Sequence, residues 1–362
     1  MSATCEIINM PAMQAQLDAI HASGNMAPEN LPCLNHVMSE ANRSAFKLDT
    51  LMNPRTGKIA QVSVIYDQPF VEDDITEITD MCTSENTLCD YEQVYTFNGV
   101  SYGRSFKLGI DDYRGSAEEN SARVAREVQK IINGIKIKHS ELLATFIGAN
   151  AGAWSTDTAT ISGAAVTANV LQLNTTLANG TAVRIPNAVL LQQLQRAHEM
   201  SKFNRSVTFG QDDLVSFLLR ALAGGQSTIL GYDIRAMLDQ YGTAMAYDRH
   251  VAAALTTLGG ATNVSLALGA IAPVGYASYE NEYSKINQTD SIADVIFDPA
   301  TGMKIDFRLT RPCDEWTVSL KATYDYFALP STLYQASSYL NGVNGIGLIN
   351  VTCDDLTPCQ AG

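Results

Sequence analysis

Residues 116–147 of this chain read SAEENSARVAREVQKIINGIKIKHSELLATFI. Ser116 and Glu119 fit a capping box, the pair of side chains that satisfies free N–H groups at the start of a helix. Apolar residues then recur at helical spacing, at Val124, Val128, Ile131, Ile135, Leu142 and Phe146. A helix over 116–147 is about 48 Å long at 1.5 Å per residue, and Gly148 is expected to end it.

Such a helix greatly exceeds the usual length of about 10–14 residues. Its length favours a structural spine over the alternative, a core helix of an α+β enzyme. Its charged residues include Arg123, Arg126, Lys130, Lys136 and Lys138, mixed with Glu118, Glu119, Glu127 and Glu141. Because both signs alternate, we expect a solvated face and not a basic stripe for DNA.

The segments before the long helix are extended. Residues 58–74 alternate apolar and polar side chains, as a strand does, and residues 91–110 indicate a second extended pair with a turn at Asn98-Gly99. A two-stranded ribbon with few core-forming residues is not stable by itself, so it needs a partner surface. Residues 1–60, with short helices over Met13–Ala22 and Cys33–Phe46, are expected to form an arm that lies on other structure.

Short helices and strands follow the long helix. Helices are predicted over 188–202, 211–223 and 232–241, and a buried strand over 263–272. Strands dominate from residue 294 onward, with predicted bounds of 294–298, 303–310, 315–327 and 345–352. Asp298-Pro-Ala-Thr-Gly302 is a turn by composition. The pattern indicates an α+β protein.

Composition excludes several classes of protein. Of the 362 residues, 46% are hydrophobic and 17% charged, which is typical of a packed core. The net charge of -14 argues against direct, tight DNA binding, which relies on lysine and arginine. No apolar run is long enough for a membrane helix, and the N-terminus lacks the pattern of a secretory signal. Synthesis in a reducing cytoplasm is therefore expected, with unpaired thiols favoured over disulfides for the seven cysteines.

No motif for chemistry is present. The sequence contains neither GxxxxGK[ST] nor GxSxG, and the cysteines form no CxxC pair, which argues against a zinc site. The five histidines are isolated; His139 lies on the long helix outside its main stripe and is expected to be a surface or packed residue. The acidic residues of segment 72–80 indicate a solvated loop, with an ion or subunit contact as the alternative. We predict no catalytic, cofactor-binding or metal-binding residue.

The order of elements resembles the Hong Kong 97 fold of tailed-phage major capsid proteins. The resemblance rests on Ser116–Ile147, on QSTILGYDIRAMLDQYGTAMAY (226–247) and on EWTVSLKATYDYFALPSTLY (315–334). It implies an N-terminal arm over 1–57, an extended loop over 58–115 and a peripheral domain that begins with the spine helix over 116–205. An axial domain over 206–293 follows, and the peripheral domain's return strands and the tail occupy 294–362.

The resemblance implies a structural protein and not an enzyme. It implies self-assembly into hexamers and pentamers of an icosahedral shell around double-stranded DNA, with the virion as location, assembly in the host cytoplasm and no membrane contact. Portal, scaffolding and decoration proteins are the implied partners, and the initiator Met1 favours scaffolding as a separate protein. Lys58 and Lys107 are the extended-loop lysines where one member of the family forms cross-links, but no local pattern here supports that chemistry.

Five aromatic residues of the ribbon are candidates for contacts with adjacent subunits: Phe70, Tyr95, Phe97, Tyr102 and Phe106. The alternative is that they pack on their own long helix. Two other functions stay open from the sequence. One is a nanocompartment shell of the same fold that encloses an enzyme, and the other is an α+β hydrolase or transferase whose site is assembled only in three dimensions.

Overall fold

The structure of the chain is a computed structural model. The described residues are 8–24, 30–45, 47–53, 58–66, 91–108, 117–150, 159–161, 164–166, 170–172, 174–176, 182–184, 206–210, 228–229, 232–233, 243–257, 263–280, 282–288, 291–311, 315–328 and 348–352. No helix among them is both long and apolar enough to cross a membrane.

The structure describes five α-helices, and polar side chains cap the starts of some of them. They are α1 (Met10–Ala22), α2 (Pro32–Met38), α3 (Glu40–Arg43), α4 (Ala117–Asn150) and α5 (Arg249–Thr257). Asn9 caps α1, since its side chain accepts a hydrogen bond from the Ala12 N–H at 3.2 Å. The single helix predicted over Cys33–Phe46 is wrong: Ser39 is extended and caps α3 through the Asn42 N–H.

The strands, in chain order, are β1 (Lys47–Met52), β2 (Ile59–Tyr66), β3 (Tyr91–Thr96), β4 (Val100–Leu108), β5 (Ala159–Ile161), β6 (Ala164–Val166), β7 (Val170–Gln172), β8 (Asn174–Thr176), β9 (Ala182–Arg184), β10 (Ser206–Gly210), β11 (Thr228–Ile229), β12 (Tyr232–Asp233), β13 (Thr243–Tyr247), β14 (Asn263–Ala267), β15 (Ile271–Tyr276), β16 (Ile286–Gln288), β17 (Ser291–Phe297), β18 (Lys304–Thr310), β19 (Trp316–Ala328) and β20 (Leu348–Thr352). The protein is therefore α+β, as predicted, and the strand-rich end is confirmed.

The large sheet has the order β15-β19-β18-β17-β16, and β4 pairs with β19. The 13-residue β19 organises it: β4 lies along residues 316–324 on one side, while β18 and β15 share the other side. The turn predicted at Asp298–Gly302 joins β17 to β18, and Gly302 has a φ of 66° there, a conformation that glycine adopts without strain.

A second sheet has the order β13-β10-β14-β20-β7. The buried strand predicted over 263–272 divides between the two sheets, because Leu268–Ala270 turn the chain and Gly269 has a φ of 84°. β14 therefore ends in the second sheet and β15 begins in the large sheet. The short pairs β5-β6, β8-β9 and β11-β12 are separate.

The long helix α4 is confirmed, with 34 residues. Val124, Val128 and Ile135 of the predicted stripe are buried, while Ile131, Leu142 and Phe146 are half-buried. A second line of residues is buried as well, namely Ala125, Ile132, Lys136, His139, Leu143 and Ile147. The helix is thus covered on two sides, and one exposed ridge remains. The prediction that Gly148 ends it is wrong, since α4 continues to Asn150.

The arm lies on its own chain: α1 packs on α4, and Met13 and Leu17 are fully buried. The ribbon differs from the prediction. β3 pairs with β2 in an antiparallel sheet of order β1-β2-β3, and β4 leaves to join β19. The predicted hairpin turn at Asn98-Gly99 is therefore wrong; the chain passes there from one sheet to the other.

Several predictions fall outside the described residues. The helices over 188–202 and 211–223 lie there, as do most of the helix over 232–241 and the acidic segment 72–80. At the start of the third helix the structure has the strand β12 instead. The domain boundaries at 57, 115, 205 and 293 stay predictions.

Candidate assembly surface

The junction between the ribbon sheet (β1, β2 and β3) and the large sheet is held by Tyr95. Its hydroxyl donates a hydrogen bond to the Ala328 carbonyl at 2.9 Å. Its ring stacks on Phe327 with 4.8 Å between centroids, an arrangement that aromatic pairs favour. Tyr95 thus attaches β3 to the carboxyl end of β19 in the same chain.

Phe97 and Asn98 complete this junction. Phe97 is half-buried and packs on the main core, and its ring occupies the space where a side chain at position 99 would lie. Gly99 is therefore needed for close packing. The Asn98 N–H donates to Asp325 Oδ2 at 2.7 Å. Partial burial raises the pKa of Asp325, and the N–H groups of Asn98 and Tyr326 oppose that rise.

Tyr102 contacts the long helix through His139. The His139 ring lies edge-on between Tyr102 at 5.0 Å and Tyr324 at 5.4 Å, and its Nε2 is 3.4 Å from the Ala322 carbonyl. His139 is fully buried, and burial lowers its pKa from 6.5 to about 4. It is a packed residue, one of the two roles expected from the sequence, and it joins α4 to β4 and β19.

Phe106 lines a groove between β4 and α4 with a volume of about 510 Å³. Tyr102, Gly103 and Arg104 form the rest of its β4 wall. The α4 wall consists of Glu127, Lys130, Ile131, Gly134, Ile135 and Lys138. Apolar side chains thus line the groove between charged ones. Gly134 leaves open space, since no atom lies within 4 Å of where its Cβ would be.

A buried ion pair fixes α4 on the large sheet. Lys136 Nζ lies 3.1 Å from Asp298 Oδ2, and the two side chains are 2% and 1% exposed. Asp298 Oδ2 also accepts hydrogen bonds from the Thr301 N–H and hydroxyl, at 2.9 and 2.6 Å. The expectation that Lys136 belongs to a solvated face is therefore wrong. The feature of the sequence that could have predicted the burial of Lys136 is its position four residues after Ile132 and three before His139, on the second buried line of α4.

The ribbon sheet exposes much of its own surface. β1 is exposed at all six positions, and Leu48, Leu51 and Met52 are 40%, 63% and 38% exposed. Val94 of β3 is 51% exposed. Among the side chains of this sheet that the structure describes, Val62 and Val64 are the buried ones.

Four of the five predicted aromatic residues thus contact their own chain, and each stays half-exposed. Phe70 lies outside the described residues. Their contact with another subunit stays a prediction. Lys107, one of the two extended-loop lysines, pairs with Glu315 at 2.7 Å. Across the described residues, no group of three His, Cys, Asp or Glu side chains is placed to hold a metal ion.

Several solved phage structures contain a chain of similar fold. A chain of "Cyanophage A-1(L) capsid asymmetric unit" is 13% identical, with a TM-score of 0.43 over 89% of this chain and 92% of that one. A chain of "Mycobacterium phage Adephagia" is 11% identical, with a TM-score of 0.39 over 88% and 91%. A chain of "The capsid of Myoviridae Phage XM1" is 9% identical, with a TM-score of 0.32 over 84% and 89%.

No family model matches this chain, and no curated protein matches it. The structural similarities concern the fold, so the function is inferred from the contacts of this chain.

Proposed function

We propose that this protein is the major capsid protein of a tailed phage, which self-assembles into an icosahedral head around double-stranded DNA. The observation that carries the proposal is the exposed ribbon sheet. Its described side chains include two buried valines, and its outer strand β1 is exposed throughout. A sheet with so little core is not stable by itself, and its apolar residues need a covering surface.

The exposed ribbon sheet is attached to a rigid body made of α4 and the large sheet. α4 is about 51 Å long at 1.5 Å per residue, and it is attached to the large sheet by the His139 ring contacts and the Lys136–Asp298 pair. The ribbon sheet is attached to the same large sheet through Tyr95 and Asn98. Rigid attachment favours shell building, because many weak contacts combine only when their geometry is fixed in advance.

Each segment of the chain has its own role in the shell. Residues 1–57 serve as arm, 58–115 as extended loop, 116–205 and 294–362 as peripheral domain, and 206–293 as axial domain. The subunits form hexamers and pentamers. Phe70 contacts a neighbour, and Tyr95, Phe97, Tyr102 and Phe106 do so through the parts of their rings that their own chain leaves uncovered.

The remaining partners follow from the same role. The net charge of -14 limits adhesion of packaged DNA, because like charges repel over a Debye length. Contact with DNA is then non-specific. Portal, scaffolding and decoration proteins complete the particle. The subunit assembles in the host cytoplasm, resides in the virion and performs no catalysis.

Electron microscopy of the purified protein tests the proposal. The protein is expressed with and without the other head proteins of its source, and negatively stained samples are searched for closed shells. Closed particles of uniform diameter are expected, and in the full system they contain nuclease-protected DNA. Particles that instead enclose a protein cargo and no DNA would contradict the phage assignment, and a monomer in every sample would contradict shell building.

A further inference from the structure

The turn over residues 268–270 carries the chain from the second sheet to the large sheet. β14 ends at Ala267 in the second sheet, and β15 begins at Ile271 in the large sheet. A few loop residues between two packed bodies are the usual place where a hinge takes up changes of backbone angle. The turn is therefore a point about which the two sheets can rotate relative to each other.

Asn42 of α3 holds this turn. Its side-chain oxygen accepts a hydrogen bond from the Gly269 N–H at 2.9 Å. Its side-chain N–H groups donate to the Ile271 carbonyl at 2.9 Å and to the Val37 carbonyl at 2.7 Å. Asn42 is 1% exposed, so these bonds supply the partners that buried polar groups need. One amide thus joins the turn, the first residue of β15 and the helix α2.

The same stretch of the arm is bound to the second sheet through Asp248, the residue that follows β13. Asp248 Oδ2 accepts a hydrogen bond from the Cys33 N–H at 3.1 Å. Asp248 Oδ1 accepts from the N–H groups of His250 and Val251, at 3.0 and 3.2 Å, and so caps α5. Asp248 is 1% exposed. One carboxylate therefore ties the start of α2 to the end of β13.

The arm has one further contact with each sheet. The His36 ring lies edge-on to Phe209 of β10, with 5.7 Å between centroids. A guanidinium nitrogen of Arg43 lies 3.1 Å from the position that a Cβ on Gly302 would take, at the turn between β17 and β18. The apolar side chains between these contacts are at most 2% exposed: Leu31, Cys33, Leu34, Val37 and Met38.

We infer that residues 31–43 form a strap that locks the angle between the second sheet and the large sheet, with Asn42 and Asp248 as its two attachment points. The strap precedes both sheets in sequence and holds groups on both sides of the turn. Rotation about the turn breaks buried hydrogen bonds that no water replaces, so the strap opposes it. This inference goes beyond shell building and does not depend on it, although a fixed angle also fixes the direction of every contact surface.

The helix α5 gives the second sheet another support, since it packs on both β10 and α4. Asp248 serves that support too, so a variant that releases the strap must leave the cap of α5 in place. Asp248→Asn meets this requirement. The amide oxygen caps a helix as well as a carboxylate does, while the amide nitrogen faces the Cys33 N–H and cannot accept a hydrogen bond from it.

The distance between spin labels on the two sheets tests the strap. The labels are attached to ketone-bearing unnatural amino acids at Tyr247 and Arg308, exposed residues of β13 and β18, so the native cysteines stay unchanged. Without a strap variant, pulsed EPR is expected to give one narrow distance distribution. In Asn42→Ala and in Asp248→Asn we expect a distribution about twofold broader, because the hinge is then free to change its angles. Asn35→Ala is the matched control, since Asn35 is an exposed asparagine of the same strap.

Circular dichroism shows whether each variant folds, and if Asn42→Ala does not, Asp248→Asn alone decides. Folded variants that keep the narrow distribution would show that the strap does not set the angle. If both variants fold and only one broadens the distribution, that residue acts locally and a strap across two sheets is wrong. Equal broadening by Asn35→Ala would overturn the inference as well. The labels are read on the unassembled subunit, so a failure to form particles contradicts the proposed function and leaves the strap standing.

Discussion

The Lys136–Asp298 pair allows the sharpest test of how α4 is held. We consider Lys136→Met, which keeps the length and apolar character of the stem and removes the charge. Asp298 then remains about 1% exposed, with its charge stabilised by the N–H and hydroxyl of Thr301. Removal of one partner from a buried ion pair costs about 3–5 kcal/mol, because the other charge is left without compensation in a poorly solvated place.

The hydrogen bonds from Thr301 place the expected cost at the lower end, about 3 kcal/mol of unfolding free energy. The double variant Lys136→Met/Asp298→Asn is expected to recover most of this loss, since the amide oxygen still accepts from Thr301 and no charge remains. The assay is urea unfolding of the unassembled subunit, followed by the fluorescence of Trp316, which is buried in the large sheet.

Lys138→Met is the control for the single variant. Lys138 lies two residues further along α4 in an exposed pair with Glu141, so its loss is expected to leave the unfolding midpoint unchanged. Equal effects of the two lysine variants would refute the reasoning, because burial would then not decide the cost. A double variant as unstable as Lys136→Met would refute it as well.

Three further predictions concern α4 and the junction between the ribbon sheet and the large sheet. Gly134→Ala is expected to raise the unfolding free energy by about 0.5–1 kcal/mol, since the added methyl meets no atom and helix propensity improves; a loss in urea unfolding would contradict this. Tyr95→Phe is expected to cost about 1 kcal/mol through the lost hydrogen bond to Ala328, while the same change at fully exposed Tyr283 is expected to cost nothing. Acid is expected to weaken the subunit, because the pKa of His139 is lowered to about 4 in the folded chain and the unfolded chain therefore binds more protons below pH 6.5. The unfolding free energy falls by about 3 kcal/mol between pH 6.5 and 4 because of His139. His139→Phe is expected to remove this part of the pH dependence, while His36, whose pKa is similarly lowered, still contributes its own part. If unfolding of this variant depends on pH as strongly as that of the wild type, His139 is not responsible for the loss.

The helix α4 could be predicted from the sequence because the evidence for it lies within its own residues. The apolar spacing of Val124, Val128 and Ile135 is set by the period of one helix, and no distant residue is needed to see it. The strands predicted over 294–298, 303–310 and 315–327 correspond to β17, β18 and β19, and the evidence for each lies within its own segment. Gly148 was misjudged because a glycine near a helix end does not by itself stop the helix, and here α4 continues to Asn150, whose side-chain amide donates a hydrogen bond to the Phe146 carbonyl at 2.8 Å.

The pairings could not be predicted in the same way. Asn98-Gly99 has the composition of a hairpin turn, but β19 offers nine residues of pairing to β4, and that distant strand decides the outcome. Lys136 was assigned to a solvated face because its partner Asp298 lies 162 positions away in sequence. Tyr102 and Phe106 were recognised as important aromatic residues, yet only the fold shows that they line one groove with Gly134.

Sedimentation velocity of the purified full chain, over a range of protein concentrations, distinguishes a shell-building subunit from a protein that stays monomeric. We expect the 39.1 kDa subunit to give way with rising concentration to capsomers and then to one discrete, fast-sedimenting shell. A single boundary at the mass of the monomer over the whole range, with and without scaffolding partners, would contradict this expectation.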